Sequence, residues 1–145
     1  MPSIFLVILV GLAGGMAIGL QSPMASIITQ RLGIFESVFI VHLGGAAIAL
    51  LALFIIRGGH LAQWRIVPWY ALFAGFFGLL VIAAISYIIP RAGVTAAITT
   101  TMAGQLIVGT VLDQFGLLGA AGRPMDVTRV LGLIFVMAGV WLTVK

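Results

Sequence analysis

Charge is what this chain lacks. Seven Lys and Arg and three Asp and Glu are spread over 145 residues, so only 7 % of the chain is charged. A soluble domain carries about 25 %, and a solvated surface of ordinary size cannot be built from this composition. Cysteine is absent altogether. That excludes disulfides, thiol nucleophiles and zinc–thiolate sites. Acids are the scarcest charged type, and none lies midway along an apolar stretch. This argues against a mechanism in which protons and cations compete for a central carboxylate.

What is present is long apolar sequence. Residues 1–30 contain no Asp, Glu, Lys, Arg or His, and residues 37–56, 66–90 and 92–112 contain no Asp, Glu, Lys or Arg. Hydrophobic residues make up 63 % of the chain, and the mean hydropathy is +1.32. A bilayer core about 30 Å thick needs roughly 20 residues of α-helix, so the sequence predicts an all-α, polytopic membrane protein. Five spans are expected, at about residues 3–30, 36–56, 68–89, 94–112 and 129–144, forming a single transmembrane domain over 1–145. Four is the alternative if the last segment lies partly in the interface. The N-terminal apolar stretch is too long for the h-region of a cleavable signal peptide and has no basic residue before it.

Punctuation within the spans carries further expectations. Pro23 lies inside the first span and predicts a kink or break near Gln21 and Ser22. Gly11, Gly15 and Gly19 recur at the spacing that lets two membrane helices approach closely. Gly44, Gly45 and Ala49 give the second span a similar face. The loop at 57–67 combines Arg57, His60, Trp64 and Arg65, a mixture suited to the headgroup zone, and Trp69 and Tyr70 read as interface anchors. Pro90 is expected to end the third span, with a tight turn at 91–93 after it. The fourth span is the most polar, with Thr95, Thr99, Thr100, Thr101, Gln105 and Thr110 before Asp113.

A pI near 10.8 resembles a nucleic-acid signal, but the basic residues stand singly at segment ends and form no phosphate-binding patch; no nucleic-acid partner is expected. Five spans place Arg57, Arg65, Arg123 and Arg129 on one side of the membrane and Arg31, Arg91 and Lys145 on the other. Lys/Arg bias sets orientation, and this bias is small. Either the loops set one orientation weakly, or the chain inserts both ways.

No nucleophile–base pair, metal-ligand set or phosphate-binding motif is present, so no catalytic residue, metal or cofactor is expected and the chain is not read as an enzyme. Gln105 is the leading site candidate, because a mid-span polar group must find a partner. Thr101 shares its helical face. Both either line a solute cavity or join helices by hydrogen bonds. Gln21 sits beside Pro23, where a broken helix would offer carbonyls to a solute; a plain kink is the alternative. His42 is the only ionisable group well inside a span, and intramembrane ionisable residues are functional suspects. Glu36 and Asp113 are candidates for coupling or gating. Their structural alternatives are a helix-dipole interaction and a loop ion pair.

The stretch Ala-Gly-Gln-Leu-Ile-Val-Gly-Thr-Val-Leu-Asp-Gln-Phe-Gly-Leu-Leu-Gly at 103–119, Gln-Ser-Pro at 21–23 and Arg-Val-Leu-Gly-Leu at 129–133 resemble the YdcZ-like family of small bacterial inner-membrane proteins. That family looks like a branch of the drug/metabolite transporter superfamily, and the resemblance covers essentially the whole chain. Many members carry Asn near the end of the first span, where Thr29 stands here. The resemblance implies half of a transporter built from two inverted five-helix halves. A second copy in antiparallel orientation would complete it, making a dual-topology homodimer that moves a small solute across the bacterial inner membrane by alternating access. A separate paralogous half could take that place. A passive dual-topology ion channel and a non-transporting membrane subunit are the rival readings.

Overall fold

The computed structural model describes residues 3–145, and among these it is helical with no strands. Helix α1 is Ile4–Leu32, α2 is Ile34–Ile55, α3 is Ala74–Phe115 and α4 is Val127–Val144. Short 3-10 turns at Leu61–Ile66 and Trp69–Phe73 connect α2 to α3. Four helical stretches are long and apolar enough to cross a membrane, the third being Trp69–Phe115 with 47 residues. As one straight rod that stretch would be about 70 Å long at 1.5 Å per residue, more than twice a bilayer core. It is divided at Gly93, whose φ of 86° and ψ of 169° are non-helical. Among the described residues there are therefore five long helical segments.

Two sequence expectations are corrected here. Helix α1 runs through Pro23 without a break, and α3 runs through Pro90 and breaks at Gly93 instead. The reason is common to both. Proline removes one hydrogen bond, whereas ending a helix inside a membrane releases several backbone groups into hydrocarbon, where each costs far more than in water. Beside Pro23, Ser22 Oγ donates to the Ile18 carbonyl at 2.7 Å. Glycine at 93 allows a positive φ at no steric cost, so the helix breaks there.

The link expected at residues 31–35 shrinks to Gly33 alone, with φ 119° and ψ 167°. One residue suffices because it serves both helices. Its N–H donates to Thr29 O at 3.0 Å, and its carbonyl accepts from Ser37 N at 3.1 Å. The pattern Ser-x-x-x-x-Arg-x-Gly occurs twice, at 26–33 and 86–93. In both copies the serine is buried and the glycine has a positive φ.

The chain forms two compact units, Met1–Tyr87 and Ile88–Lys145. In the first, α1 packs against α2, and the interior is made of small and polar residues. Ser22, Ala25, Ser26, Ser37, Ile82, Ile85 and Ser86 are buried. Ser37 Oγ donates to Ala25 O at 2.9 Å, Gln30 Nε2 donates to Ser26 Oγ at 3.0 Å, and Ser86 Oγ donates to Thr29 Oγ1 at 3.0 Å. Small side chains let the backbones approach, and the hydroxyls join them. In the second unit Ala96, Ala97 and Ala103 are buried, and Thr99 and Thr143 share a hydrogen bond of 3.1 Å between α3 and α4.

Large apolar side chains point outward. Phe5, Phe54, Trp69, Phe135 and Trp141 are all exposed. This reverses the soluble pattern and suits a lipid-facing surface. A side chain at Gly11, Gly14 or Gly15 would meet nothing within 4 Å, so this part of α1 is open to lipid or to another helix.

Because the α1–α2 corner rests on a buried hydroxyl, Ser37→Ala is expected to cost about 0.6–2 kcal/mol, the range for interhelical hydrogen bonds in membranes. A melting curve of the purified variant in detergent measures this. An unchanged midpoint would remove Ser37 from the account of the corner.

Candidate functional site

In α3, the hydroxyls of Thr99, Thr100, Thr101 and Thr110 are turned back onto their own helix. Thr99 Oγ1 donates to Thr95 O at 2.9 Å, Thr101 Oγ1 to Ala97 O at 2.8 Å and Thr110 Oγ1 to Leu106 O at 2.7 Å. Thr100 Oγ1 donates to Ala96 O. Such back-bonding satisfies the hydroxyl without a partner helix. Gln105 differs. It is exposed, and its amide makes no hydrogen bond among the described residues. Two N–H donors and a carbonyl acceptor are thus uncommitted near the middle of an apolar segment. Thr101, one turn away on the same face, is half-buried and keeps its oxygen lone pairs.

The first unit holds Gln21, His42 and Glu36; Gln105, Thr101 and Asp113 belong to the second. Gln21 is exposed on α1, and its amide likewise makes no hydrogen bond among the described residues. The α1 break that would have offered carbonyls beside it is absent, so the amide alone remains as its polar contribution.

His42 Nδ1 lies 2.8 Å from Val38 O. A carbonyl can only accept, so Nδ1 carries the proton. In the neutral ring Nε2 is then a bare acceptor. That nitrogen faces Gly78 on α3. A methyl group built on Gly78 would lie 2.5 Å from Nε2 and 2.9 Å from Cε1, so the imidazole occupies space that only glycine leaves.

Glu36 stands in the first turn of α2, where the helix dipole favours a carboxylate. Its carboxylate lies against Gly33, in the space a Cβ there would need. Asp113 pairs with Arg129 at 2.5 Å, each side chain 33 % exposed. The same arginine donates from Nη1 to Arg123 O at 2.8 Å. Arg123 N donates to Asp113 O at 2.8 Å, Met125 N to Gln114 Oε1 at 2.7 Å, and Arg129 N to Asp126 Oδ1 at 2.7 Å. Together these bonds clasp the loop between α3 and α4 and start α4 at Val127. Among the described residues, no three His, Asp or Glu side chains gather where they could hold a metal ion.

The buried serines were not singled out as a group by sequence reasoning. A serine in a helix reads as neutral. The only available signal was the recurrence of Ser-x-x-x-x-Arg-x-Gly.

Long apolar helices and an outward apolar surface mark a multi-pass membrane protein. The family described as "Putative inner membrane exporter, YdcZ" matches residues 6–142, and the chain belongs to that family. It is a multi-pass protein of the inner membrane. Among curated proteins and solved structures, no match to the chain is found.

The His42–Gly78 contact generates a test. Gly78→Ala should push the imidazole out, whereas Gly75→Ala, with nothing within 4 Å, should leave it in place. In a His60→Gln background, diethyl pyrocarbonate should modify His42 faster in Gly78→Ala than in the parent, with Gly75→Ala unchanged. Equal rates in all three would mean that Gly78 does not cover the ring.

Proposed function

We propose that the protein exports a small solute by alternating access, as an antiparallel homodimer whose two copies supply the two inverted halves. The observation that carries this reading is the uncommitted amide of Gln105. An amide in hydrocarbon with no partner costs several kcal/mol, on the order of 2–7, so it calls for something polar against it. Gln21 poses the same requirement in the other unit. In a two-fold assembly each residue appears twice around the axis, and two inverted halves place a polar site at the midplane. Thr101 is a further acceptor offered to the solute, and His42 Nε2 becomes one when its ring leaves Gly78. The export direction follows the family description.

Asp113 is paired with Arg129, and the Glu36 carboxylate packs against Gly33. As gating groups they would act by releasing those contacts. The near balance of basic residues between the two sides supports insertion in both orientations.

Gln105→Leu separates a solute contact from helix glue. A solute that stabilises the purified parent in a thermal-shift screen serves as the probe. If Gln105 contacts it, the variant stays folded and dimeric but loses the shift and the proteoliposome flux of that solute. If the residue only joins helices, flux persists and stability falls by about 0.6–2 kcal/mol; that result would dismiss Gln105 from the site.

Sidedness is read independently. Single cysteines at the exposed positions Gln63 and Ala92 should each react with an impermeant maleimide from both faces of the inner membrane. Two lysines added to the 57–67 loop should make labelling one-sided. One-sided labelling of the unmodified chain would contradict dual topology.

A further inference from the structure

The C-terminus of α2 carries a feature that the transport reading does not use. Gly58 N donates to Leu53 O at 2.7 Å and Arg57 N to Phe54 O at 3.1 Å. These two bonds make a Schellman motif, which places Arg57 at the left-handed position with φ 55°. Glycine is the usual residue there, since a side chain at positive φ is strained. Here two glycines follow at once, Gly58 and Gly59, both also at positive φ. The strained position nevertheless holds the arginine.

That arginine lines an open-sided groove of about 760 Å³, together with Leu50, Leu53, Phe54, Ile55, Gly58 and Leu61. The volume lies within the usual range for ligand sites, roughly 300–1,000 Å³. Apart from Arg57 and the backbone, the named lining is hydrocarbon. The Arg57 side chain makes no hydrogen bond or ion pair among the described residues, and residues 37–112 contain no Asp or Glu that could supply one. In the next turn, Trp64 lies beneath the Arg65 guanidinium, 5.7 Å from its ring centroid. An aromatic and basic pair of this kind belongs at the headgroup level. The groove therefore begins where lipid headgroups lie and continues along the apolar last turns of α2.

We infer that this groove is a binding site for an anionic phospholipid. Its phosphate would be held by the Arg57 guanidinium, whose planar fork matches two phosphate oxygens, and an acyl chain would lie along Leu50, Leu53, Phe54 and Leu61. The acid-free surroundings leave the charge of Arg57 to be balanced from outside the chain. A zwitterionic headgroup brings its own cation and balances it poorly. This inference is independent of the transported solute.

The test uses full-length protein in neutral detergent, with melting temperature as the readout. Phosphatidylglycerol should raise the melting temperature more than phosphatidylcholine does, and inorganic phosphate alone should not raise it. Arg57→Gly and Arg57→Asn both accept a positive φ. Without lipid they should melt no lower than the parent, and the advantage of phosphatidylglycerol over phosphatidylcholine should disappear. Arg65→Gln should retain it. Leu53→Trp, which fills the groove, should reduce the shift with Arg57 intact. Equal shifts from the two lipids in the parent, a full phosphatidylglycerol advantage in Arg57→Gly, or a shift from phosphate alone would overturn the assignment.

Discussion

Hydrocarbon offers no hydrogen bonds, and a backbone N–H or C=O left without a partner there costs several kcal/mol, about 2–7 by transfer measurements. The arrangement of this chain follows from that cost. Helices run through prolines that would end them in water. Chain breaks are confined to a single glycine, as at Gly33 and Gly93, or to the polar loop regions. At Gly33 the break is a single residue, whose N–H serves α1 and whose carbonyl serves α2. Side-chain hydroxyls obey the same rule. Thr99, Thr101 and Thr110 bond their own helix, while Ser37 and Ser86 bond across helices.

The same cost gives Gln21 and Gln105 their significance. Thr99, Thr100, Thr101 and Thr110 are satisfied on their own helix. Within the apolar helices the amides of Gln21 and Gln105 make no hydrogen bond among the described residues, and they sit in different units. Lipid cannot complete them; in the proposed function a solute or a second copy does. The charged groups, in contrast, stand at segment ends, with Glu36 against Gly33 and Asp113 paired with Arg129. Polar capacity inside the membrane thus comes mainly from neutral groups and one histidine, which suits recognition by hydrogen bonding more than by charge.

Much of the architecture was legible in the sequence because hydrocarbon thickness is a coarse ruler. Uncharged stretches pointed to five helical segments, and a break beside Arg91 was foreseen, though it falls at Gly93 alone. The errors came from applying the rules of water to lipid. Pro23 and Pro90 were expected to break helices, and residues 31–35 were expected to form a link. The serine interior was hidden for a different reason. Which side of a uniformly apolar helix is buried depends on its partner, and α1 and α2 have no polar face to betray it. Gln105 and Gln21 were chosen from sequence as polar residues within spans. That their amides make no hydrogen bond could not be read there, since it required knowing that the neighbouring threonines bond backward.

The central claim is that single glycines bring the chain to the membrane surface between spans. A nitroxide scan through residues 86–100, read by collision with oxygen and with an aqueous nickel chelate in liposomes, tests it most directly. The account predicts a short window of nickel accessibility at 91–93, flanked on both sides by oxygen-accessible, nickel-protected positions. Nickel protection continuing unbroken through Gly93 would contradict it.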